Sequence, residues 1–183
     1  MLPVRMRGET IGPREHTLKS PDIKRPETAG NLAGVSVRFS YVVGRLDRVL
    51  RRRLGEALAP YGLTVADYTA LSVLRARSGL SNAQLARRTL ITPQAMNEVL
   101  ARLVDRGYVK RTADPDHGRI IRTELTEAAA RVLDACDRDV DEIERAMLRG
   151  VPAGERARLK GALADCVERL GGGLGHRDES QVT

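Results

Sequence analysis

Residues 81–107 read SNAQLARRTLITPQAMNEVLARLVDRG and contain the clearest helix signals of the chain. Ser81 and Gln84 have the spacing of a capping box, in which each side chain accepts a hydrogen bond from the backbone N–H of the other residue. The box predicts the start of a short helix. Thr92 is a good N-cap and Pro93 fits the first position of a second helix, because the N–H that proline lacks would be unsatisfied there. The stretch therefore predicts two short helices joined by a tight turn.

The second of these helices has one apolar face and one polar face. Apolar side chains recur with the period of a buried helical stripe at Met96, Val99, Leu100, Leu103 and Val104. The opposite face carries Gln94, Asn97, Glu98, Ala101, Arg102 and Asp105. Gly107 predicts the left-handed end of the helix. Such a helix can lie in the major groove of DNA and present its N-terminal polar side chains to base edges.

A β-hairpin is predicted after the two helices. Residues 108–111 predict a short strand, residues 114–118 read DPDHG and predict a turn, and residues 119–125 predict the returning strand. Two short helices followed by a hairpin form a winged helix-turn-helix, so we predict a mainly α fold with a small β-hairpin wing. The alternative is an unrelated small α+β domain in which the amphipathic helix only packs.

The chain outside this module also has helical patterns. Thr64, with Asp67 where a capping-box acid would lie, predicts a helix that stops at Gly79. Thr126 caps a long helix to about Gly150, whose predicted apolar stripe is Val132, Cys136, Val140, Ile143 and Met147. A last helix begins at Pro152, and its predicted stripe is Leu159, Leu163, Cys166 and Leu170.

Five regions follow from these patterns. We expect an extended or partly ordered arm over 1–34, a first dimerisation helix over 35–62, a DNA-binding lobe over 63–126, two C-terminal dimerisation helices over 127–172 and a polar tail over 173–183. The first helix and the last two have apolar stripes that a compact lobe does not cover. A symmetric second subunit is the usual partner for such stripes, so we predict a homodimer.

The charge of the chain indicates a polyanionic partner. Its 183 residues include 31 Lys and Arg and 24 Asp and Glu, which gives a formal net charge of +7. The positive charge lies in the first two thirds, because residues 127–183 hold 9 basic and 12 acidic residues, a net charge of −3. A basic surface is the electrostatic footprint of nucleic-acid binding, although an arginine-rich solvated surface is the alternative. Aromatic residues make up only 3%, fewer than stacking of single-stranded bases requires, so the expected partner is double-stranded DNA.

Other classes of protein find no support in the sequence. No stretch is apolar enough to span a membrane and no secretory signal is visible, so we expect no membrane partner and a cytoplasmic, nucleoid-associated location. The chain has no HExxH motif, no phosphate-binding loop and no GxGxxG motif, and its three histidines are scattered. We therefore expect no enzyme, no metal and no cofactor.

Short motifs occur in an order and spacing that match a known family. They are Gly62–Tyr68 (GLTVADY), Ser81–Ala86 (SNAQLA), Leu103–Val109 (LVDRGYV), Arg111, Asp114-Pro115, Arg119 and Leu125-Thr126. With them, the chain from about residue 35 to residue 170 resembles the MarR (multiple-antibiotic-resistance regulator) family of transcription factors. The resemblance implies a homodimer, with the first and last helices at its interface, that binds a palindromic operator and usually represses transcription. It also implies release from DNA by small, often phenolic or aromatic, effectors or by cysteine oxidation.

The sequence departs from the family pattern at the wing and on the second helix. His117 stands where the family usually has an acid that pairs with the wing arginine, here Arg119. Glu98 stands where the family often has an arginine, and a carboxylate there can accept a hydrogen bond from a cytosine amino group. Family members that sense peroxide carry a reactive thiol in the first helix, where this chain has none. Cys136 and Cys166 are therefore interpreted as packing residues.

The candidate DNA contacts fall into two classes. Gln94 and Asn97 can hydrogen-bond adenine, which makes them candidates for reading bases. The helix that begins at Ser81 and Asn82 can direct N-terminal amides at a phosphate. The candidate phosphate or minor-groove arginines are Arg87, Arg88 and Arg119. The predicted set is completed by Thr92, Glu98, Arg102, Arg111 and His117.

The resemblance also implies an effector pocket between the dimerisation helices and the DNA-binding lobe. Its candidate lining residues are Arg45, Tyr61 and Tyr68, because an aromatic acid needs a cation and a ring. The alternative is that the tyrosines belong to the core and Arg45 to the surface. The rival function from another class is a sequence-tolerant architectural DNA-binding protein without an effector.

Overall fold

The computed structural model describes residues 37–113 and 121–172. Their order is α1 (Phe39–Leu58), a 3₁₀ turn (Ala59–Tyr61), α2 (Val65–Ala76), α3 (Asn82–Thr89), α4 (Pro93–Asp105), β1 (Val109–Ala113), β2 (Ile121–Leu125), α5 (Glu127–Met147) and α6 (Ala153–Arg169). The mainly α fold with one hairpin confirms the predicted class. The predicted arm (1–34), turn (114–118) and tail (173–183) lie outside the described residues, as do His117 and Arg119. In the described ranges, none of the helices is both long and apolar enough to cross a lipid bilayer.

The helix starts predicted from the sequence form as predicted. The Thr64 hydroxyl accepts a hydrogen bond from the Asp67 N–H at 3.1 Å, and the Asp67 carboxylate accepts one from the Thr64 N–H at 3.0 Å. Ser81 and Gln84 make the same reciprocal pair at 3.3 and 2.9 Å. The Thr92 hydroxyl accepts from the Ala95 N–H at 3.1 Å. These caps set where α2, α3 and α4 begin, and with them the turn between α3 and α4.

The core lies between α2, α3, α4 and the first half of α5. Its fully buried side chains include Leu71, Leu74, Leu85, Met96, Leu100, Leu103, Leu133 and Cys136. Burial raises the pKa of the Cys136 thiol to about 11, because the thiolate would lose its hydration and lie near Asp137 and Asp139. The thiol is thus held in its unreactive form, which agrees with a packing role.

Two details of the predicted stripes are wrong. Val104 is 38% exposed, because it lies about 80° past two full turns from Met96, at the edge of the apolar face. In α5, Leu133 is fully buried although the predicted stripe omits it. The buried positions of α5 extend from Ala129 to Val140, and Met147 at the end of the helix is 42% exposed.

The hairpin is tied to the helical lobe through its second strand. β1 and β2 pair antiparallel, with Val109 opposite Leu125 and Arg111 opposite Thr123. Thr123 also forms an isolated bridge with Leu80, in which the Thr123 N–H donates to the Leu80 carbonyl at 3.0 Å. These backbone hydrogen bonds join the wing to the segment directly before α3, the first helix of the helix-turn-helix.

Helices α1 and α6 have apolar faces that this protomer does not bury. Leu58 is the only buried residue in α1, and α6 has none. The exposed apolar side chains of these two helices include Phe39, Val42, Leu46, Val49 and Leu159, and the C-cap Leu170 after α6 is also exposed. The chain divides into two compact units between Val43 and Gly44, within α1, and the first unit contributes residues 37–43 to the described part.

Candidate nucleic-acid interface

The polar face of α4 points out of the lobe. Met96 and Val99 on the opposite side of α4 are buried, at 0% and 3% exposure. Gln94, Asn97 and Glu98 are all exposed. They lie in the first two turns of α4, directly after the capped N-terminus at Thr92. The structure thus brings two amides and one carboxylate together on one exposed helix face, the arrangement that readout of base edges requires.

The Asn82 side chain joins the two helices of the helix-turn-helix. Its side-chain Nδ2 donates a hydrogen bond to the Pro93 carbonyl at 3.1 Å, which ties the first turn of α3 to the first turn of α4. Its Oδ1 is buried and, within the described residues, accepts no hydrogen bond. Ser81 is likewise engaged in its capping box. The Ser81 side chain therefore fixes the start of α3, and the Asn82 side chain joins that start to the start of α4.

The candidate phosphate contacts come from two elements. Arg87 and Arg88 lie in the last turn of α3, where Arg87 is exposed and Arg88 half-buried. Arg111 is exposed on β1, the first strand of the wing. The arginines of α3 precede α4 in the chain, and Arg111 on the wing follows it. Cations on both sides of a base-reading helix are suited to contact the phosphates of the DNA backbone.

Arg102 is engaged with the protein itself. Its Nη2 lies 2.9 Å from Oδ1 of Asp67, whose side chain is only 5% exposed, while the side chain of Arg102 is 49% exposed. Asp67 is also the acid of the Thr64 capping box, so its two oxygens serve two different partners. The sequence predicted that cap but not the second contact, because Arg102 lies 35 residues further along the chain.

Arg106 is a residue that the sequence analysis missed. Its guanidinium donates to the carbonyl oxygens of Gly62 and, at 2.8 Å, Tyr61. It also lies over the Tyr108 ring, 4.8 Å from the ring centroid. The available signal was its position one turn after Arg102, directly before the glycine that ends α4.

The three candidate effector residues lie in different surroundings. Tyr61 donates its hydroxyl to Asp139 at 2.8 Å, and Tyr68 donates to Asp137 at 2.7 Å. Burial and then these hydrogen bonds raise the pKa of each tyrosine to about 12. Arg45 is exposed on α1. The tyrosines are partly buried and packed against the core, as the alternative interpretation expected.

Asp137 also joins α2 to α5 through an ion pair. Arg75 on α2 lies 2.5 Å from Asp137 and 3.3 Å from Asp134. The hydrogen bond to Asp137 raises the pKa of Arg75. Two tyrosines and one arginine thus fasten the region from Tyr61 to Arg75 to the carboxylates of α5.

Comparisons with known proteins agree with this geometry. A profile described as MarR family matches residues 61–120. The HTH-type transcriptional repressor Rv2887 of Mycobacterium tuberculosis is 35% identical over 133 residues, which are 73% of this chain and 93% of that protein. The multiple antibiotic resistance protein MarR of Escherichia coli is 25% identical over 64% of this chain and 85% of its own length.

Solved structures show the same fold. The crystal structure of Rv2887 in complex with salicylic acid has a TM-score of 0.59 and 32% identity, and the match covers 72% of this chain and 98% of that one. A structure of an E. coli MarR mutant complexed with operator DNA has a TM-score of 0.63 and 23% identity, with coverage of 70% and 92%. The second likeness concerns the fold alone.

Proposed function

The chain belongs to the MarR family of winged helix-turn-helix transcription regulators, and we propose that it is a sequence-specific repressor that acts as a homodimer on a palindromic operator and leaves the DNA when a small effector binds. The observation that carries this proposal is the exposed pair Gln94 and Asn97 at the capped start of α4. Side-chain amides there carry base information without charge. In the cytoplasm, such a protein would act on the DNA of the nucleoid.

The proposed contacts divide between base readout and backbone positioning. Gln94 and Asn97 would read bases, with Thr92 and Glu98 beside them. The backbone amides at the start of α3, after Ser81 and Asn82, would face a phosphate. Phosphate and minor-groove contacts would come from Arg87, Arg88, Arg111, His117 and Arg119. Phosphate contacts fix register and carry little sequence information, so specificity would come from α4.

The homodimer is supported by the apolar faces of α1 and α6. Exposed stripes of this kind on two helices are unfavourable in a soluble monomer, and a second copy would cover them. Two copies related by a two-fold axis would present two α4 helices to two half-sites. A palindromic operator is the DNA counterpart of that symmetry.

The effector is proposed from the relative whose solved structure holds salicylic acid. A small aromatic compound is the proposed class, and Arg45, Tyr61 and Tyr68 are the proposed contacts. Because the two tyrosine hydroxyls donate to Asp139 and Asp137, an effector that takes these hydrogen bonds would have to replace carboxylates of α5. Effector binding would thereby loosen the attachment of α2 to α5.

Selection of bound DNA from a pool of random duplexes, at one stated salt concentration, tests the proposal. Enrichment of one palindromic sequence is the expected result. Even recovery of all sequences would instead support the architectural DNA-binding protein. Adding salicylate to the selected complex then tests whether an aromatic acid releases the DNA.

A further inference from the structure

Two arginines one turn apart at the end of α4 hold the segment that joins α1 to α2. Arg106 donates to the carbonyl oxygens of Tyr61 and Gly62, at 2.8 Å for Tyr61. Arg102 lies 2.9 Å from the Asp67 carboxylate. We define these side chains and their acceptors as the α4 clamp. It grips both ends of residues 61–67.

The acceptors of the clamp are built into the fold. Asp67 is 4% exposed, and a carboxylate this buried is costly unless it is paired and hydrogen-bonded. Arg102 supplies its charged partner, while the Thr64 N–H occupies its other oxygen. The contact therefore differs from a solvated ion pair on a helix surface, which contributes little.

Gly62 permits the second half of the clamp. Its φ of +65° lies in the left-handed region, and a Cβ at this position would come within 3.1 Å of both terminal nitrogens of Arg106. Only glycine offers this conformation and this space together. The close contact between the guanidinium and the backbone therefore depends on both Arg106 and Gly62.

Tyr61 connects the clamp to α5. Tyr61 accepts from Arg106 with its carbonyl oxygen and donates to Asp139 with its hydroxyl. Tyr68, next to Asp67, donates to Asp137 in the same way. Contacts with α2 and, through the two tyrosines, with α5 therefore set the orientation of α4.

We propose that Arg102 and Arg106 are positioning residues for sequence readout, which set the orientation of α4 and do not act as phosphate contacts. This inference rests on the proposed function, in which Gln94 and Asn97 read bases. Asn97 lies nine residues from Arg106, about 13 Å along the helix axis. A small rotation of α4 at the clamp therefore displaces the amides at its other end, and hydrogen bonds to base edges tolerate only small displacements.

Charge-conserving variants separate positioning from phosphate binding. Arg106→Lys keeps the positive charge that a phosphate needs but loses the planar fork that reaches two acceptors. Arg102→Lys keeps the charge but loses the guanidinium N–H that donates to Asp67. We expect affinity for the selected operator to fall about ten-fold, the order of one base contact, while affinity for random duplex and the salt slope stay unchanged. Loss of affinity for both duplexes, with a smaller salt slope, would overturn the proposal.

Asp67→Asn gives a second, independent test, because this buried side chain cannot reach DNA. Positioning predicts that it lowers the ratio of operator to random-duplex affinity as Arg102→Lys does, and that the double variant is no worse than either single one. If Arg102 bound phosphate, Asp67→Asn would free it, affinity for both duplexes would rise together, and the ratio would stay unchanged; that result would overturn the proposal.

Thr64→Ala is the matched control for stability. It removes the side-chain cap of α2 but leaves the contacts of Arg102 and Arg106 in place. We expect a lower melting temperature and an unchanged affinity ratio. If the ratio of operator to random-duplex affinity fell equally in this variant, general loss of stability would explain the fall, and the positioning role of Arg102 and Arg106 would be refuted. A wild type without operator preference would overturn the proposed function itself, so the two failures are distinguishable.

Discussion

Asn97 lies on the exposed face of α4, in the second turn after the Thr92 cap. An amide at this place can make a bidentate hydrogen bond to adenine, so Asn97→Ala should weaken binding to the selected operator by roughly 1–3 kcal/mol. Because the amide carries no charge, affinity for random duplex and the dependence of log K on log salt should not change. Titrations of both duplexes at several salt concentrations measure this. Equal weakening of both would contradict the placing of α4 in the major groove.

Leu90 is the only residue other than glycine with a positive φ among the described residues, at +56° in the turn between α3 and α4. This conformation costs a residue with a side chain roughly 1–2 kcal/mol. The side chain is 65% exposed, so its removal sacrifices little burial. Leu90→Gly should be more stable than Leu90→Ala by roughly 0.5–1 kcal/mol, because glycine relieves the strain but loses more chain entropy. Urea unfolding compares the two, and an alanine variant of equal or higher stability would refute the prediction.

At the scale of elements, α2 and the turn before it are fastened to α5 by Tyr61 and Tyr68. The pKa of each is raised from 10 to about 12, first by burial and then by the hydrogen bond to a carboxylate. The folded state therefore keeps these protons at pH values where the unfolded chain has lost them. This contribution to stability is complete below pH 10 and is lost as the pH rises towards 12. The raised pKa of Cys136, about 11 instead of 9, adds a loss that begins nearer pH 9.

The free energy of unfolding should accordingly decline above about pH 9. In the double variant Tyr61→Phe, Tyr68→Phe, the decline between pH 10 and 12 should be smaller, because the variant has no phenol to titrate at either site. Urea unfolding at a series of pH values measures both curves. Parallel curves for the wild type and the double variant would show that these hydrogen bonds do not link α2 to α5 in solution.

At the scale of the whole molecule, the uncovered apolar faces of α1 and α6 predict the assembly. Light scattering should give a mass of about 40 kDa, twice the 20.1 kDa of the chain. Leu46 is 42% exposed in the protomer, so Leu46→Glu should dissociate the dimer without unfolding the lobe. Arg48→Gln, at an exposed position about 200° around the same helix from Leu46, is the control and should remain dimeric. A wild-type mass near 20 kDa would remove both the two-fold model and the expected palindrome.

The helix starts and the polar face of α4 follow from local sequence. A cap joins residues three positions apart, as Thr64 and Asp67 do, and a buried stripe follows from the period of the helix. These interactions depend on neighbours in the chain, so the helix-turn-helix and the exposure of Gln94 and Asn97 were predictable without coordinates. The family motifs lie in this same part of the chain.

What the long polar side chains contact depends on the tertiary structure. Asn82 was predicted as a DNA contact through the amides at the start of its helix, and Arg102 from its place on the polar face of α4. Within the protein, their side chains bond to Pro93 and Asp67. Tyr61 reaches Asp139, 78 residues away. No periodicity pairs residues so far apart, because their distance is set by how α2, α4 and α5 pack. A local pattern therefore shows which face of a helix is exposed, but the packing of other helices decides which side chains on that face remain free to meet DNA.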